Sequence, residues 1–91
     1  MAKIILFRDK NFGKDALVCK GPQPNLKTQD FNDCTSSLIV IDGTWELCQD
    51  ANYEGLKWTV SATGGPDRDG VYNEYREWNG KNDSISSLRP V

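Results

Sequence analysis

The sequence contains no histidine. Serine–histidine and cysteine–histidine nucleophile pairs need an imidazole base, and the HExxH motif of zinc proteases needs two imidazoles, so these catalytic sites are excluded. No phosphate-binding loop, dinucleotide-binding fingerprint or glycosidase-like pair of carboxylates stands out in the other residues. We therefore predict that the protein is not an enzyme.

Long apolar runs are also missing. The longest of them, such as Ile4–Phe7 and Leu38–Ile41, have four residues each, whereas a membrane-spanning helix needs about 20. The start of the chain, with one short apolar run after Lys3, does not look like a secretory signal. The sequence therefore predicts no membrane partner.

Charge of one sign is not in excess. The 91 residues carry 11 basic and 13 acidic side chains, for a net charge of −2, and the basic residues are scattered along the chain. Binding to a phosphate backbone requires a basic stripe, so we predict no nucleic-acid partner. Apolar residues make up 37% and charged residues 26%, which is typical of a single small globular domain. We expect a monomer, and the sequence identifies no protein partner.

Cysteines are few and odd in number. Cys19, Cys34 and Cys48 cannot all pair within one chain, and their spacing does not match a zinc site. We interpret them as reduced thiols in or near the core. Reduced thiols favour a reducing compartment such as the cytoplasm.

The pattern Asn-Asp-x-x-Ser-Ser-Leu occurs twice, at residues 32–38 and 82–88. Each copy brings an amide, a carboxylate and hydroxyls together in turn-forming sequence just before an apolar stretch. Calcium prefers oxygen ligands of these kinds, six to eight of them. Two copies at corresponding places in the chain predict a paired calcium site.

Other landmarks repeat as well. Asn11-Phe12-Gly13 parallels Asn52-Tyr53-Glu54-Gly55, and Tyr53 lies 41 residues after Phe12. The acidic motifs are 50 residues apart, so the second half holds about nine more residues than the first. Self-similarity on this scale is typical of one supersecondary unit used twice. We predict one domain with motifs at about residues 1–42 and 43–91.

Short strands separated by Gly, Pro, Asn and Asp are typical of an all-β sandwich. Proline excludes a central strand over residues 21–25, and residues 71–78 are the one stretch that suggests a helical turn. Four strands in each half predict eight strands in two sheets. The strands that we assign from the sequence are Lys3–Phe7, Ala16–Lys20, Ser37–Ile41, Thr44–Cys48, Leu56–Val60 and Ser86–Arg89.

The chain resembles a calcium-binding βγ-crystallin domain over essentially its whole length. The resemblance rests on Phe7, Phe12 and the first motif copy, and on Trp45, Tyr53, Gly55 and the second copy. It implies two Greek-key motifs that form an eight-stranded β-sandwich. Two positions depart from the family pattern, since Lys14 stands where a fold-back glycine is expected and Cys48 where an aromatic residue is expected.

The resemblance also implies a ligand set for two Ca²⁺ ions. In the family, the acidic residue of each loop reaches the site organised by the other loop, which makes Asp33 and Asp83 the bridging carboxylates. Hydroxyl groups would come from Ser36 and Ser86, and backbone carbonyls from Arg8, Cys34, Gln49 and Ser84. The Arg8 guanidinium should point away from the ion. About one carboxylate for each ion predicts moderate affinity, about micromolar or weaker.

Two alternatives stay open. The domain could be a structural or protein-interaction module in which metal is incidental; unchanged melting with saturating calcium would favour this reading. The aromatic residues Tyr72, Tyr75 and Trp78 are interpreted as core or loop packing, with a carbohydrate-binding platform as the alternative.

Overall fold

A computed structural model describes residues 2–13, 15–80 and 84–91. The described residues form seven strands and four short 3-10 turns, and no α-helix occurs among them. In this part of the chain no helix is long and apolar enough to cross a membrane. The strands are β1 Lys3–Phe7, β2 Ala16–Cys19, β3 Ser37–Asp42, β4 Thr44–Asp50, β5 Glu54–Ser61, β6 Val71–Tyr72 and β7 Ser87–Pro90.

The strands form two antiparallel sheets. The first sheet has the order β2-β1-β3-β6 and the second the order β5-β4-β7. Strand β6 comes from the second half of the chain but pairs with β3, where Leu38 lies opposite Tyr72. The predicted all-β sandwich is thus confirmed, and the second half completes the sheet of the first.

The first half in turn contributes one residue to the second sheet. Gln23 forms an isolated antiparallel bridge with Leu88 of β7, with N–O distances of 2.8 and 3.0 Å. Pro22 and Pro24 lie on either side of Gln23, and proline has no N–H to donate to a ladder. The loop predicted over residues 21–25 thus contributes one bridged residue to the edge of the second sheet, and the described residues form seven strands instead of the eight predicted.

The core lies between the two sheets. Alternate residues of β1 point inward, which buries Ile4 and Leu6 completely, and Leu38 and Val40 of β3 pack beside them. Trp45 of β4 is the largest fully buried side chain, and its indole N–H donates to the Asp42 carbonyl at 3.2 Å. Four residues outside the strands also belong to the buried core, namely Leu26, Phe31, Trp78 and Ile85.

Residues 71–78 differ from the predicted helical turn. Val71 and Tyr72 pair with β3 as a short strand, and a 3-10 turn follows only at Tyr75–Trp78. The turn ends at Asn79, which takes the left-handed conformation with φ 61°. The pairing is long-range, so the local sequence pattern did not reveal it.

Each β-hairpin is tied to the sheets by the second serine of an acidic motif. The Ser37 hydroxyl donates to the Asp9 carbonyl at 2.6 Å and accepts from the Phe12 amide at 3.0 Å. Ser87 makes the same pair of hydrogen bonds in the second half, with Asp50 and Tyr53, at 2.5 and 3.0 Å. Both serines are fully buried, so these bonds hold the folded-back hairpins in place.

Of the two departures from the family pattern, the structure describes Cys48. In the first half the rings of Phe7 and Phe12 meet edge-to-face at 5.3 Å. Cys48 replaces the first of those rings in the second half, and the Arg89 guanidinium lies 4.6 Å from the Tyr53 ring centre. A cation–π contact thus supports this hairpin. Lys14 lies outside the described residues.

Candidate metal centre

The two motif loops lie side by side. The Asp33 amide donates to the Ile85 carbonyl at 3.0 Å, and the Leu26 amide donates to the Ser86 carbonyl at 2.8 Å. These bonds join chain positions that are more than fifty residues apart. The fold therefore brings the acidic motifs together, as the paired-site hypothesis requires.

The Asp33 carboxylate reaches the second motif. Its Oδ1 accepts a hydrogen bond from the Ser86 hydroxyl at 3.1 Å, and its Oδ2 accepts one from the Asn32 side-chain amide at 3.2 Å. Asp33 has φ 53°, a left-handed conformation that Asp adopts more readily than most residues. Its side chain is exposed, so the carboxylate is accessible from solvent.

Backbone pairing places the predicted carbonyl donors beside the serines. The Ser86 amide donates to the Cys48 carbonyl at 2.9 Å, which puts Gln49 next to Ser86. The Ser36 amide donates to the Phe7 carbonyl at the same distance, which puts Arg8 next to Ser36. We call Asp33, Gln49, Ser84 and Ser86 the second-loop site, and Arg8, Cys34, Ser36 and Asp83 the first-loop site.

All four residues of the second-loop site are described: Asp33 contacts Ser86, Gln49 follows Cys48, whose carbonyl accepts from Ser86, and Ser84 lies two residues before Ser86. Arg8, Cys34 and Ser36 of the first-loop site also lie together, but Asp83 is outside the described residues. The predicted bridge from Asp83 to the first-loop site therefore stays a prediction.

The Arg8 guanidinium does not point away from the first loop. It donates to the Asp30 carbonyl at 2.5 Å and to the Cys34 sulfur at 3.1 Å, and it lies over the Phe31 ring. Asp15 forms an ion pair with it at 3.1 Å. The aromatic face and these acceptors hold the cation against the loop; its direction relative to a bound ion stays a prediction.

The donor set of the second-loop site consists of oxygen atoms. It offers one carboxylate, hydroxyls and backbone carbonyls, which suits a hard cation such as Ca²⁺. Among the described residues, no group of three or more His, Cys, Asp or Glu side chains could hold a metal ion. An ion here would therefore depend on neutral oxygens together with Asp33.

The sequence reasoning missed the role of the second serine in each motif. Ser36 and Ser86 lie just before strands β3 and β7. Ser37 and Ser87 are the first residues of those strands, and their hydroxyls donate to carbonyls of the hairpins. The signal was present, because both copies carry Ser-Ser where one ligand hydroxyl would suffice. Successive side chains of an extended chain point to opposite sides, so the two serines face different partners.

Comparison with known proteins identifies a family. The family model described as Beta/Gamma crystallin matches residues 3–91. The Beta/gamma-crystallin of Ciona intestinalis is 34% identical over 89 residues, which covers 98% of this chain and 98% of that protein. Gamma-crystallin A of Mus musculus is 34% identical over 91 residues, which covers 100% of this chain but 47% of that protein. The chain thus spans about half the length of this mammalian relative.

Solved structures agree with these matches. A beta gamma crystallin from Ciona intestinalis superposes with a TM-score of 0.88 at 32% identity, covering 98% of this chain and 99% of that one. A betagamma-crystallin from an archaeon superposes with a TM-score of 0.83 at 29% identity, covering 99% and 98%. Both similarities extend over at least 98% of each chain and therefore include both sheets.

Proposed function

Because the chain belongs to the beta/gamma-crystallin family, we propose that it is a non-enzymatic calcium-binding domain that takes up about two Ca²⁺ ions in its paired loops. The observation that carries this proposal is the contact between Asp33 and Ser86, 3.1 Å long, which joins the carboxylate of one motif to the hydroxyl of the other. A turn that served only its own loop would not need that contact. The side-by-side loops support the proposal for the same reason.

The two sites should differ in affinity. The Arg8 guanidinium lies against the first loop, and a cation near a bound cation raises its free energy. Asp15 offsets part of that charge. We expect the second-loop site to bind first and the first-loop site to bind more weakly.

Calcium should stabilise the fold. Strands β3 and β7 each begin at the sixth residue of a motif, Ser37 and Ser87, so an ion that fixes the loops also fixes the starts of strands in both sheets. A ligand that binds only the folded state adds about 2.7 kcal/mol at a hundredfold excess over Kd. For a domain of this size, that gain corresponds to about 10 °C or more in Tm.

The test is calorimetric titration of chelator-treated protein with CaCl₂, together with thermal melts with and without the ion. We expect about two bound ions in unequal steps and a rise in Tm. Both effects should disappear in the double variant Asp33→Ala plus Asp83→Ala. The matched control is Glu54→Ala plus Asp67→Ala, which removes two exposed carboxylates outside the loops and should keep both effects.

The alternative is a structural or protein-interaction module in which metal is incidental. The observation that supports this alternative is that the fully buried Ser37 and Ser87 hold the hairpins by hydrogen bonds to protein atoms, without a metal ion. Folded protein that gives no heat with calcium and no change in Tm would reject the calcium proposal and favour this module.

A further inference from the structure

The outer face of the first sheet carries an apolar row across all four strands. Val18 of β2 lies opposite Ile5 of β1, Ile5 lies opposite Ile39 of β3, and Ile39 lies opposite Val71 of β6. Val18 is 48% exposed, and the other three side chains are half-buried. We call these four residues the apolar row.

A β-bulge enlarges the apolar area at one end. The register between β1 and β3 shifts after Lys3, so Asp42 lies opposite Lys3 and Ile41 has no partner of its own. Ile41 is 51% exposed. The end of the face therefore carries one more exposed apolar side chain and a pair of opposite charges on neighbouring strands.

The second sheet provides an internal comparison. Thr59, Glu46 and Arg89 lie opposite one another across β5, β4 and β7. These residues follow Val18 and Ile5 by 41 positions and Ile39 by 50, the same offsets as the hairpin and acidic landmarks. Glu46 and Arg89 form an ion pair at 3.1 Å. The fold thus accepts polar and charged side chains at these positions, and the apolar row is a property of this chain's first sheet.

We propose that the outer face of the first sheet binds the same face of a second copy of this chain, with the two-fold axis parallel to the strands. That operation places Ile5 of one copy opposite Ile39 of the other, and Val18 opposite Val71. It also places Lys3 of each copy opposite Asp42 of the other. Apolar side chains of one copy thus meet apolar side chains of the other, and each charge meets an opposite charge. The face is therefore complementary to itself, which an isologous dimer requires.

The area of the face limits the stability of the dimer. Four strands spaced about 4.8 Å apart and about five residues long cover on the order of 300 Å² in projection. Stable dimers bury about 800 Å² on each partner. The face therefore supports a transient dimer that coexists with the monomer.

The test is sedimentation velocity from about 10 μM to 1 mM in the presence of chelator, which keeps it separate from calcium binding. The variant Val18→Thr, Ile5→Glu and Ile39→Arg places the side chains of the second sheet on the first. We expect the wild type to dimerise as concentration rises and the variant to have a Kd on the order of tenfold or more higher. Circular dichroism checks that the variant is folded.

The matched control is Leu56→Ser in β5. Leu56 is 51% exposed, close to the 48% of Val18, so the variant removes a comparably exposed apolar side chain from the other sheet. It should dimerise like the wild type. A wild type that stays monomeric to 1 mM, or a folded triple variant that dimerises as well as the wild type, would overturn the proposal.

A second measurement needs no variant. Amide spectra of the wild type are recorded by NMR over the same dilution series, and the resonances that move are mapped onto the two sheets. We expect the shifts to concentrate at the apolar row and Ile41. Shifts concentrated at Glu46, Thr59 and Leu56 would place the contact on the other sheet and contradict the proposal.

Discussion

Two adjacent serines in one motif have different partners, and this separates binding from folding at the scale of single residues. Ser86 donates to the exposed Asp33 carboxylate. Ser87 is fully buried and bonds to the Asp50 carbonyl and the Tyr53 amide. One hydroxyl is available to an ion, and the other is part of the hairpin.

We predict that the two alanine variants change different properties, Ser87→Ala the stability and Ser86→Ala the calcium affinity. Ser87→Ala removes a fully buried hydroxyl and leaves the Tyr53 N–H and the Asp50 C=O without that partner, so it should lower the free energy of unfolding of calcium-free protein by about 1–3 kcal/mol. Ser86→Ala should weaken calcium binding and change that free energy by less than about 1 kcal/mol, because its partner Asp33 is in contact with water. Urea unfolding in chelator and calcium titration check the two halves of this prediction. Equal destabilisation by both variants would contradict it.

The residue types of the doubled motif indicated the candidate site, whereas the directions of its side chains could not be predicted from the sequence. The doubled motif pointed to Asp33, Ser36 and Ser86 because its hydroxyls and carboxylate recur at fixed spacing. The direction of the Arg8 side chain depends on Phe31 and the Asp30 carbonyl. Those contacts exist only after the chain has folded, so no spacing in the sequence reports them.

Strand β6 shows how an element can depend on a single backbone position. Gly70, just before β6, has φ 81°, and its carbonyl accepts from the Val40 amide at 2.8 Å. A Cβ at this position would collide with the Val40 carbonyl oxygen. The close approach of Gly70 to β3 thus allows a two-residue strand to join the sheet.

The variant Gly70→Ala should therefore be strongly destabilised. The left-handed conformation alone costs a non-glycine residue about 1–2 kcal/mol, and the collision with a backbone atom adds to that cost. Gly21→Ala is the matched control, because no atom lies within 4 Å of its added Cβ; it should be neutral or slightly stabilising. Thermal unfolding of both variants tests the difference, and similar Tm values would refute this role for Gly70.

Elements with a strong local pattern were predicted well, and elements supported from far along the chain were not. Lys3–Phe7 is rich in β-branched and aromatic residues, so the sequence indicated this strand. Val71–Tyr72 and Gln23 form one or two ladder positions whose partners lie in the other half. Such short pieces carry no periodicity of their own.

At the scale of the whole molecule, buried thiols make stability depend on alkaline pH. Burial raises the pKa of Cys19 from its ordinary 9.0 to about 11. Burial, and then the charge of Glu46, also raises the pKa of Cys48. The folded state holds these protons more tightly than the unfolded state, so the stabilisation is complete below pH 9 and is lost between pH 9 and 11.

We therefore expect the free energy of unfolding to fall by about 2 kcal/mol over that interval on account of Cys19. The variant Cys19→Ala should be less stable at neutral pH but should show a smaller fall at alkaline pH. Urea unfolding between pH 8 and pH 11 measures the two slopes, and identical slopes in the wild type and the variant would contradict the assignment.

The exchange of edge pieces between the two halves also has a consequence for assembly. Each half leaves one sheet edge that only the other half completes, through β6 on one side and Gln23 on the other. Two separate halves would have to find each other by diffusion, and their pairing would weaken with dilution. Joining them at Gly43, between β3 and β4, turns that encounter into an intramolecular one with a high effective concentration. The short connection thus makes the completion of both sheets independent of how dilute the protein is.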